Sequence, residues 1–290
     1  MEAHPLPYSP DLTERLGQRA RELRCDVVRL VAATGQGYVQ QGLGAADLFA
    51  ALYGAELRYR PQEPAWPERD RFFLSTAHNS AVFGAALAQN GLMARELMLS
   101  YCQDGSTYEI NMSERLGSVV EATCGSLGQG LSVAVGAALA ARMRQGRTPR
   151  CYVMLGDGEL QEGQVWEAAM AAGHYALDNL CMIVDWNRMQ VQGHVDEVMR
   201  MDPIPDKFRA FNWAVREIDG HDMDAILQAL AWARATQGKP SLILARTLVG
   251  KGAPSLEGIF GHNMKLPAEM ARRALEELGA PAPAAEGVAP

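Results

Sequence analysis

Asp157 and Asn187 are the residues whose types and spacing most directly suggest chemistry. Asp157 stands between Gly156 and Gly158, directly after an apolar run at 151–155. Asn187 stands 30 residues further on, after a second apolar run at 180–184 and Asp185-Trp186. A carboxylate and an amide oxygen are hard donors of the kind Mg²⁺ or Ca²⁺ takes, and Mg²⁺ commonly shares its shell with phosphates. The two glycines let the main chain come close to a ligand. A helix start beyond the first run favours an anion. The pattern reads as a metal-bridged diphosphate site.

The elements that must position these groups follow from the spacing of apolar residues. The two runs are short enough to be buried strands. Between them Val165, Ala168, Ala169 and Ala172 share one helical face, which makes a βαβ unit with polar residues just past each strand. In parallel α/β sheets that edge is where ligands bind. Upstream, Ser9-Pro10 reads as an N-cap followed by proline at the first helical position, and a helical stripe runs through Leu12, Leu16, Leu23, Val27 and Leu30. A glycine- and glutamine-rich loop is expected at 35–44, a helix at 46–53 and a loop at 61–67. A short strand at 71–74 ends on Ser75-Thr76-Ala77-His78, and a small-residue helix follows at 79–90. Residues 102–124 have little periodicity and read as a long, partly functional loop. The segment GSLGQG at 125–130 is a glycine-rich turn opening an Ala-rich helix. Beyond the βαβ unit come a proline-broken connection at 201–211, strands at 213–218 and 241–247, and a helix at 223–235 between them. Helices alternating with apolar strands predict an α/β fold, a parallel sheet covered by helices on both faces. One domain is expected over 5–278, with an Ala/Pro-rich, disordered tail at 279–290.

Composition narrows the partners. At 48% hydrophobic and 21% charged over 290 residues, the chain is ordinary globular material. A net charge of −7 argues against a nucleic-acid or polybasic membrane role and leaves small-molecule substrates. The first residues lack a signal-peptide pattern, and no apolar run is long enough to span a membrane, so a cytoplasmic location is expected. The cysteines at 25, 102, 124, 151 and 181 show no C-x-x-C spacing and read as reduced thiols.

The GDG at 156–158, followed after 28 residues by Asn187, resembles the thiamine diphosphate-binding motif. The surrounding chain, from about Leu12 to Pro267, resembles the N-terminal, diphosphate-binding part of transketolase. The resemblance implies the thiamine diphosphate-binding fold of the diphosphate-binding type. It implies Mg²⁺, with Ca²⁺ or Mn²⁺ as alternatives, held by Asp157, Asn187 and the main-chain carbonyl of Met189. It implies cofactor contacts from Gly156, Asp157, Gly158 and Asn187, and from the turn Gly125-Ser126-Leu127 near the pyrimidine. His78, in STAHNS, matches a histidine that contacts cofactor and substrate, and His262, in GHNMKLP, matches a second one near the chain end. Both would be neutral donors close to developing negative charge. Glu162 matches a residue between the diphosphate- and pyrimidine-binding portions, a candidate for proton relay or interface contact. Glu167 on the same helix reads as a solvated acid, His221 in DGHD reads as a structural residue in a turn after a strand, and His4, His174 and His194 carry no assigned role.

Two departures bear on substrate. The family's S-G-H-P-G histidine is replaced here by Tyr38 or Gln36, depending on where the count begins, and Asn111 stands where the family has another histidine. These losses leave the cofactor site intact and put ordinary sugar-phosphate specificity in doubt. The family also needs a glutamate from a pyrimidine-binding domain, followed by a third domain. The expected protein is therefore the diphosphate-binding subunit of a split transketolase-like enzyme. A separately encoded partner would supply the catalytic glutamate in an α2β2 assembly. The reaction would be transfer of a two-carbon ketol or acyl unit to an aldehyde or ketone. The alternatives are one component of a decarboxylating 2-oxo-acid carboligase, or a non-catalytic binding or regulatory homologue.

Overall fold

The computed structural model describes residues 9–123, 125–144, 148–258 and 265–280. The first helix, α1 (Pro10–Thr34), is capped by Ser9, whose Oγ accepts from the main-chain N–H of Leu12. It stops at Gly35, which takes φ 64° and donates back to Val31 O, a left-handed ending that glycine adopts without strain. The next helix, α2 (Val39–Ala51), begins inside the segment expected to be a loop at 35–44 and runs into a π-helical turn, Leu52–Glu56. The correction has a packing reason. A Cβ at Gly42 would lie 3.0 Å from Val27 of α1, and one at Gly44 would lie 2.9 Å from the carbonyl of Leu248. These glycines serve close helix packing rather than a turn, and α2 is buried along its whole length.

Strand β1 (Arg71–Leu74) leads through a 3-10 turn, Ala77–Asn79, into α3 (Ser80–Gln89), and α4 (Arg95–Leu99) follows. From there to the next helix the regular structure among the described residues is one 3-10 turn, Glu114–Leu116, as the aperiodic sequence predicts. The loop is pinned by fully buried Tyr101 and Tyr108, and the Tyr108 hydroxyl donates to Ser80 O at 2.8 Å. Helix α5 (Gln129–Arg142), strand β2 (Cys151–Gly156), a 3-10 turn (Gly158–Gln161), α6 (Gly163–His174) and β3 (Leu180–Trp186) form the expected βαβ unit. Two-residue strands β4 (Met189–Gln190) and β5 (Gly193–His194) pair antiparallel beside it. Then come α7 (Val195–Val198), α8 (Ile204–Ala210), β6 (Ala214–Asp219), α9 (Met223–Ala235), β7 (Ser241–Arg246) and α10 (Ala268–Glu277). Helix α8 lies within the connection expected to be broken by prolines, because Pro203 and Pro205 fall at its start, where no N–H is required.

The sheet has the order β1-β2-β3-β7-β6, and every pair is parallel. Successive side chains of a strand point to opposite faces, and the two cores obey that period. Tyr152, Met154, Cys181 and Ile183 pack in the core shared with α1, α2, α3, α9 and α10. Val153, Leu155, Met182 and Val184 pack in the core shared with α5, α6 and α8. Helices thus cover both faces, as predicted. Cys25, Cys102, Cys151 and Cys181 are free thiols, and burial pushes Cys151 and Cys181 up to about 12. Cys124 and the segment 281–290 lie outside the described residues.

Candidate functional site

Because all five main strands run in one direction, their polar carboxyl ends meet along one edge. A cleft of about 210 Å³ opens there, lined among others by His78, Leu127, Asp157, Glu162, Asn187 and Met189. A larger depression of about 550 Å³ lies between α1 and the end of α10, and none of the sequence-predicted site residues lines it. The smaller cleft is the candidate site, since convergent polar groups distinguish a binding site better than volume does.

Asp157 is 1% exposed. Its Oδ1 accepts from Gly158 N–H at 2.9 Å and its Oδ2 from Arg188 N–H at 2.7 Å. Burial and, second, the neighbouring Asp185 push its pKa up to about 7, against the pull of those two amides. Each carboxylate oxygen keeps lone-pair capacity beyond its one amide. Asn187 is oriented from both sides: its Nδ2 donates to Asp185 Oδ2 at 3.3 Å, and its Oδ1 accepts from Met189 N–H at 2.9 Å. Asp185 is fully buried and also accepts from Thr247 Oγ1, at the end of β7. Three adjacent strand ends are therefore linked through two acids.

Among the described residues no cluster of three or more His, Cys, Asp or Glu side chains could hold a metal. A cation in this cleft would have to combine the Asp157 carboxylate with amide and main-chain oxygens, a set that suits Mg²⁺ or Ca²⁺ and not Zn²⁺. The backbone leaves room for a ligand only because side chains are missing. A Cβ at Gly156 would lie 3.3 Å from the His78 ring, and one at Gly158 would lie 3.1 Å from Gln190 Cβ. The residues present fit a metal-bound diphosphate.

His78 sits in the turn after β1, on the cleft wall. The ring of Tyr38 meets it edge-on, with centroids 6.2 Å apart and planes at 71°. Gln36 is exposed, so of the two residues that could replace the family's histidine, Tyr38 is the one against the site. Asn111 borders the turn at 125–127: a Cβ at Gly125, which has φ 121°, would lie 2.5 Å from its Oδ1. Leu127 lines the cleft and is 43% exposed. Glu162 is exposed at the start of α6, on the cleft rim, while Glu167 faces solvent further along that helix. His262 lies outside the described residues.

Sequence reasoning missed Glu159, which is 2% exposed and lines the same cleft. Its carboxylate accepts from Ser75 Oγ, from Gly128 N–H at 2.7 Å and from Gly156 N–H at 3.1 Å. Burial pushes its pKa up to about 6 despite these donors. His221, expected to be structural, ties two segments together: its Nε2 accepts from Leu248 N–H at 2.8 Å, so its Nδ1 carries the proton and donates to Asp47 of α2 at 2.9 Å.

Comparison with known proteins gives consistent matches. The family described as "Transketolase, thiamine diphosphate binding domain" matches residues 14–284. The chain is 42% identical over 264 residues to the 6-deoxy-6-sulfo-D-fructose transketolase subunit SqwG of Clostridium sp. (strain MSTE9), covering 91% of this chain and 96% of that one. It is 34% identical over 266 residues to one of the subunits of apulose-4-phosphate transketolase from Phocaeicola vulgatus, covering 91% and 94%. Transketolase from Leishmania mexicana superposes with a TM-score of 0.85 at 32% identity, over 91% of this chain and 41% of that one. The chain thus spans about two-fifths of that solved structure's length and nearly all of the two relatives named as subunits.

Proposed function

The chain belongs to the transketolase family as its thiamine diphosphate-binding domain, and from that premise we propose that it is the diphosphate-binding subunit of a two-component transferase that moves a two-carbon ketol unit from a ketose to an aldehyde. The observation that carries this reading is the pair of oriented oxygens, Asp157 and Asn187, at adjacent strand ends, on a chain as long as relatives named subunits.

Mg²⁺, or Ca²⁺ or Mn²⁺ in its stead, would be held by Asp157, Asn187 and the carbonyl of Met189. The diphosphate would meet that cation and the main chain at Gly156 and Gly158, and Gly125, Ser126 and Leu127 would flank the pyrimidine. When bound, thiamine diphosphate supplies the electron sink that lets a carbon–carbon bond of the donor break and re-form. The chain's own residues bind and orient. Asp157 would offset the cation's charge from a buried position, and Asp185 accepts from Asn187 Nδ2, which holds the amide with its Oδ1 toward the Met189 N–H. His78, against Gly156, is in reach to donate a hydrogen bond or carry a proton at a substrate oxygen. His262 has the same role on its motif alone.

A separately encoded chain would complete the cleft and bring the glutamate that acts on the cofactor. Exposed Glu162 on the rim is suited to face it. Closed twofold symmetry makes α2β2 the expected assembly. The names of the two relatives favour ketol over acyl transfer, and the retained oxygens weigh against a non-catalytic homologue. A cytoplasmic location agrees with the four free thiols among the described residues. Among the described residues, no helix is long and apolar enough to cross a membrane.

The test is reconstitution. The chain alone, with thiamine diphosphate, Mg²⁺ and ketose donors, should turn nothing over. Co-expression with the product of an adjacent reading frame should give transfer and a mass of two chains of each kind by light scattering. Robust turnover by the chain alone would overturn the two-component reading.

A further inference from the structure

Glu159 is a buried acid whose charge is met by hydrogen-bond donors and not by a cation. Those donors come from three separate segments. Ser75 follows β1, Gly128 closes the turn before α5, and Gly156 ends β2. Ser75 Oγ in turn accepts from Gly130 N–H at 3.1 Å, so the first turn of α5 is held as well. The junctions leave no slack: a Cβ at Gly130 would lie 2.4 Å from Ser75 Oγ, and one at Gly128 would lie 2.7 Å from Glu162 Cβ. Gly125 and Gly128 both take positive φ, 121° and 86°, and glycines have the most backbone freedom to lose when such a turn is ordered. Leu127, beside Gly128, forms one wall of the cleft, and Asp157, two residues before Glu159, forms another.

We propose that Glu159 is a positioning residue that sets the spacing of the cofactor cleft, by tying the turn that carries Leu127 to the strand end that carries Asp157 before the cofactor arrives. This rests on reading the cleft as the thiamine diphosphate site. The residue type follows from the donors it must satisfy. An ionised carboxylate is acceptor-only and can serve all three. A glutamine in the same pose would turn an NH₂ group toward an N–H or O–H donor, and an aspartate would fall one methylene short. Charge-assisted hydrogen bonds in a dry site are short and directional, so they fix geometry as well as adding stability. A cleft fixed in advance spares the cofactor the cost of ordering it.

The experiment uses the chain in its native assembly. Wild type is compared with Glu159→Gln, Ser75→Ala and Asp157→Ala. Calorimetry gives the Kd for thiamine diphosphate with Mg²⁺, thermal melting gives Tm, and amide exchange follows segment 125–130 without cofactor. Glu159→Gln and Ser75→Ala should each raise Kd about 10–100-fold, the scale seen when groups behind a metal's ligands are changed. Exchange in segment 125–130 should speed up, and the kinetic loss should fall on the cofactor KM more than on kcat. A purely structural role would lower Tm and move neither Kd nor exchange. A folded Glu159→Gln protein that binds the cofactor within about twofold of wild type, a change too small to count as a lost interaction, overturns the proposal. If that variant does not fold, Ser75→Ala, which removes one donor and keeps the carboxylate, decides by the same readouts. Asp157→Ala separates the two readings: unchanged Kd there means that the cleft is not the cofactor site, whereas loss there with normal binding in the other two defeats the positioning role alone.

Discussion

The main-chain N–H of Arg188 donates to Asp157 Oδ2 at 2.7 Å, across the gap between the ends of β2 and β3. Arg188 reaches that position with φ 65°, a left-handed conformation that costs a residue with a side chain about 1–3 kcal/mol. Its guanidinium is held by Asp196 and, at 3.1 Å, by Asp202, which keep the turn in that shape. The strained residue lies between Asn187 and Met189, so it aims an amide at one candidate ligand while setting the direction of the other two.

Asp157→Ala removes the charged ligand and leaves the Arg188 amide without its acceptor. Cofactor and Mg²⁺ binding should weaken by about 2–5 kcal/mol, the range for truncating one partner of a buried charge pair. Calorimetry on the reconstituted complex measures it, and an unchanged affinity would reject Asp157 as a ligand.

The raised pKa of Asp157, about 7, gives a pH dependence with a definite sign. Without metal the buried acid is neutral below that value, and a cation must displace its proton. Metal affinity should therefore rise with pH through 7 and fall about tenfold per unit below it, with proton release on binding. The stability contribution runs the other way in the metal-free protein. A raised folded-state pKa contributes stability that is complete below the ordinary carboxylate range and lost as pH rises through 7. The stabilisation by Mg²⁺ should thus be larger at about pH 7.5 than at about pH 5.5. Melting curves with and without Mg²⁺ at both values test this, and equal shifts would contradict it.

Gly173 of α6 packs against the main chain, and a Cβ there would lie 1.7 Å from the carbonyl oxygen of Phe211. A backbone atom cannot move aside cheaply, so Gly173→Ala should destabilise by about 1–3 kcal/mol. Gly163→Ala, at the start of the same helix with nothing within 4 Å, should be tolerated. Thermal melts of the two variants compare them directly, and equal melting temperatures would show that α6 can shift away from Phe211.

The sheet is legible in the sequence because its strands are apolar runs and its helices repeat at helical spacing. Strand β1 and helix α9 have the predicted bounds. Asp157 and Asn187 are legible because each directly follows such a strand. What the sequence hides depends on contacts far along the chain. Gly44 reads as loop because the group that requires it, the carbonyl of Leu248, belongs to a distant segment. Glu159 looks like one acid among several, since its partners Ser75 and Gly128 lie 84 and 31 residues off. The β4–β5 pair is too short to show a period. The βαβ unit needs none of these distant contacts, which is why it can be read locally.

The two departures from the family pattern stand one layer behind the cleft wall: Tyr38 meets His78, which lines the cleft, and Asn111 meets Gly125, two residues before the cleft-lining Leu127. Neither a phenol nor an amide can carry the positive charge that a protonated histidine offers to an anionic group. A site that hydrogen-bonds a substrate hydroxyl discriminates strongly against analogues that lack it, so exchanging these donors should change which ketose fits. One relative is named for 6-deoxy-6-sulfo-D-fructose and another for apulose 4-phosphate. The reconstituted enzyme is expected to prefer a non-standard ketose over xylulose 5-phosphate and fructose 6-phosphate by about tenfold or more in kcat/KM. Tyr38→His and Asn111→His should narrow that gap. A donor panel that includes sulfo- and phospho-ketoses, pyruvate and other 2-oxo acids, with products followed by mass spectrometry, measures the preference. If pyruvate is the best donor, acyl transfer replaces ketol transfer as the reaction. If the ordinary ketose phosphates are clearly preferred, the two substitutions are neutral and the donor pocket is that of a standard transketolase divided between two chains.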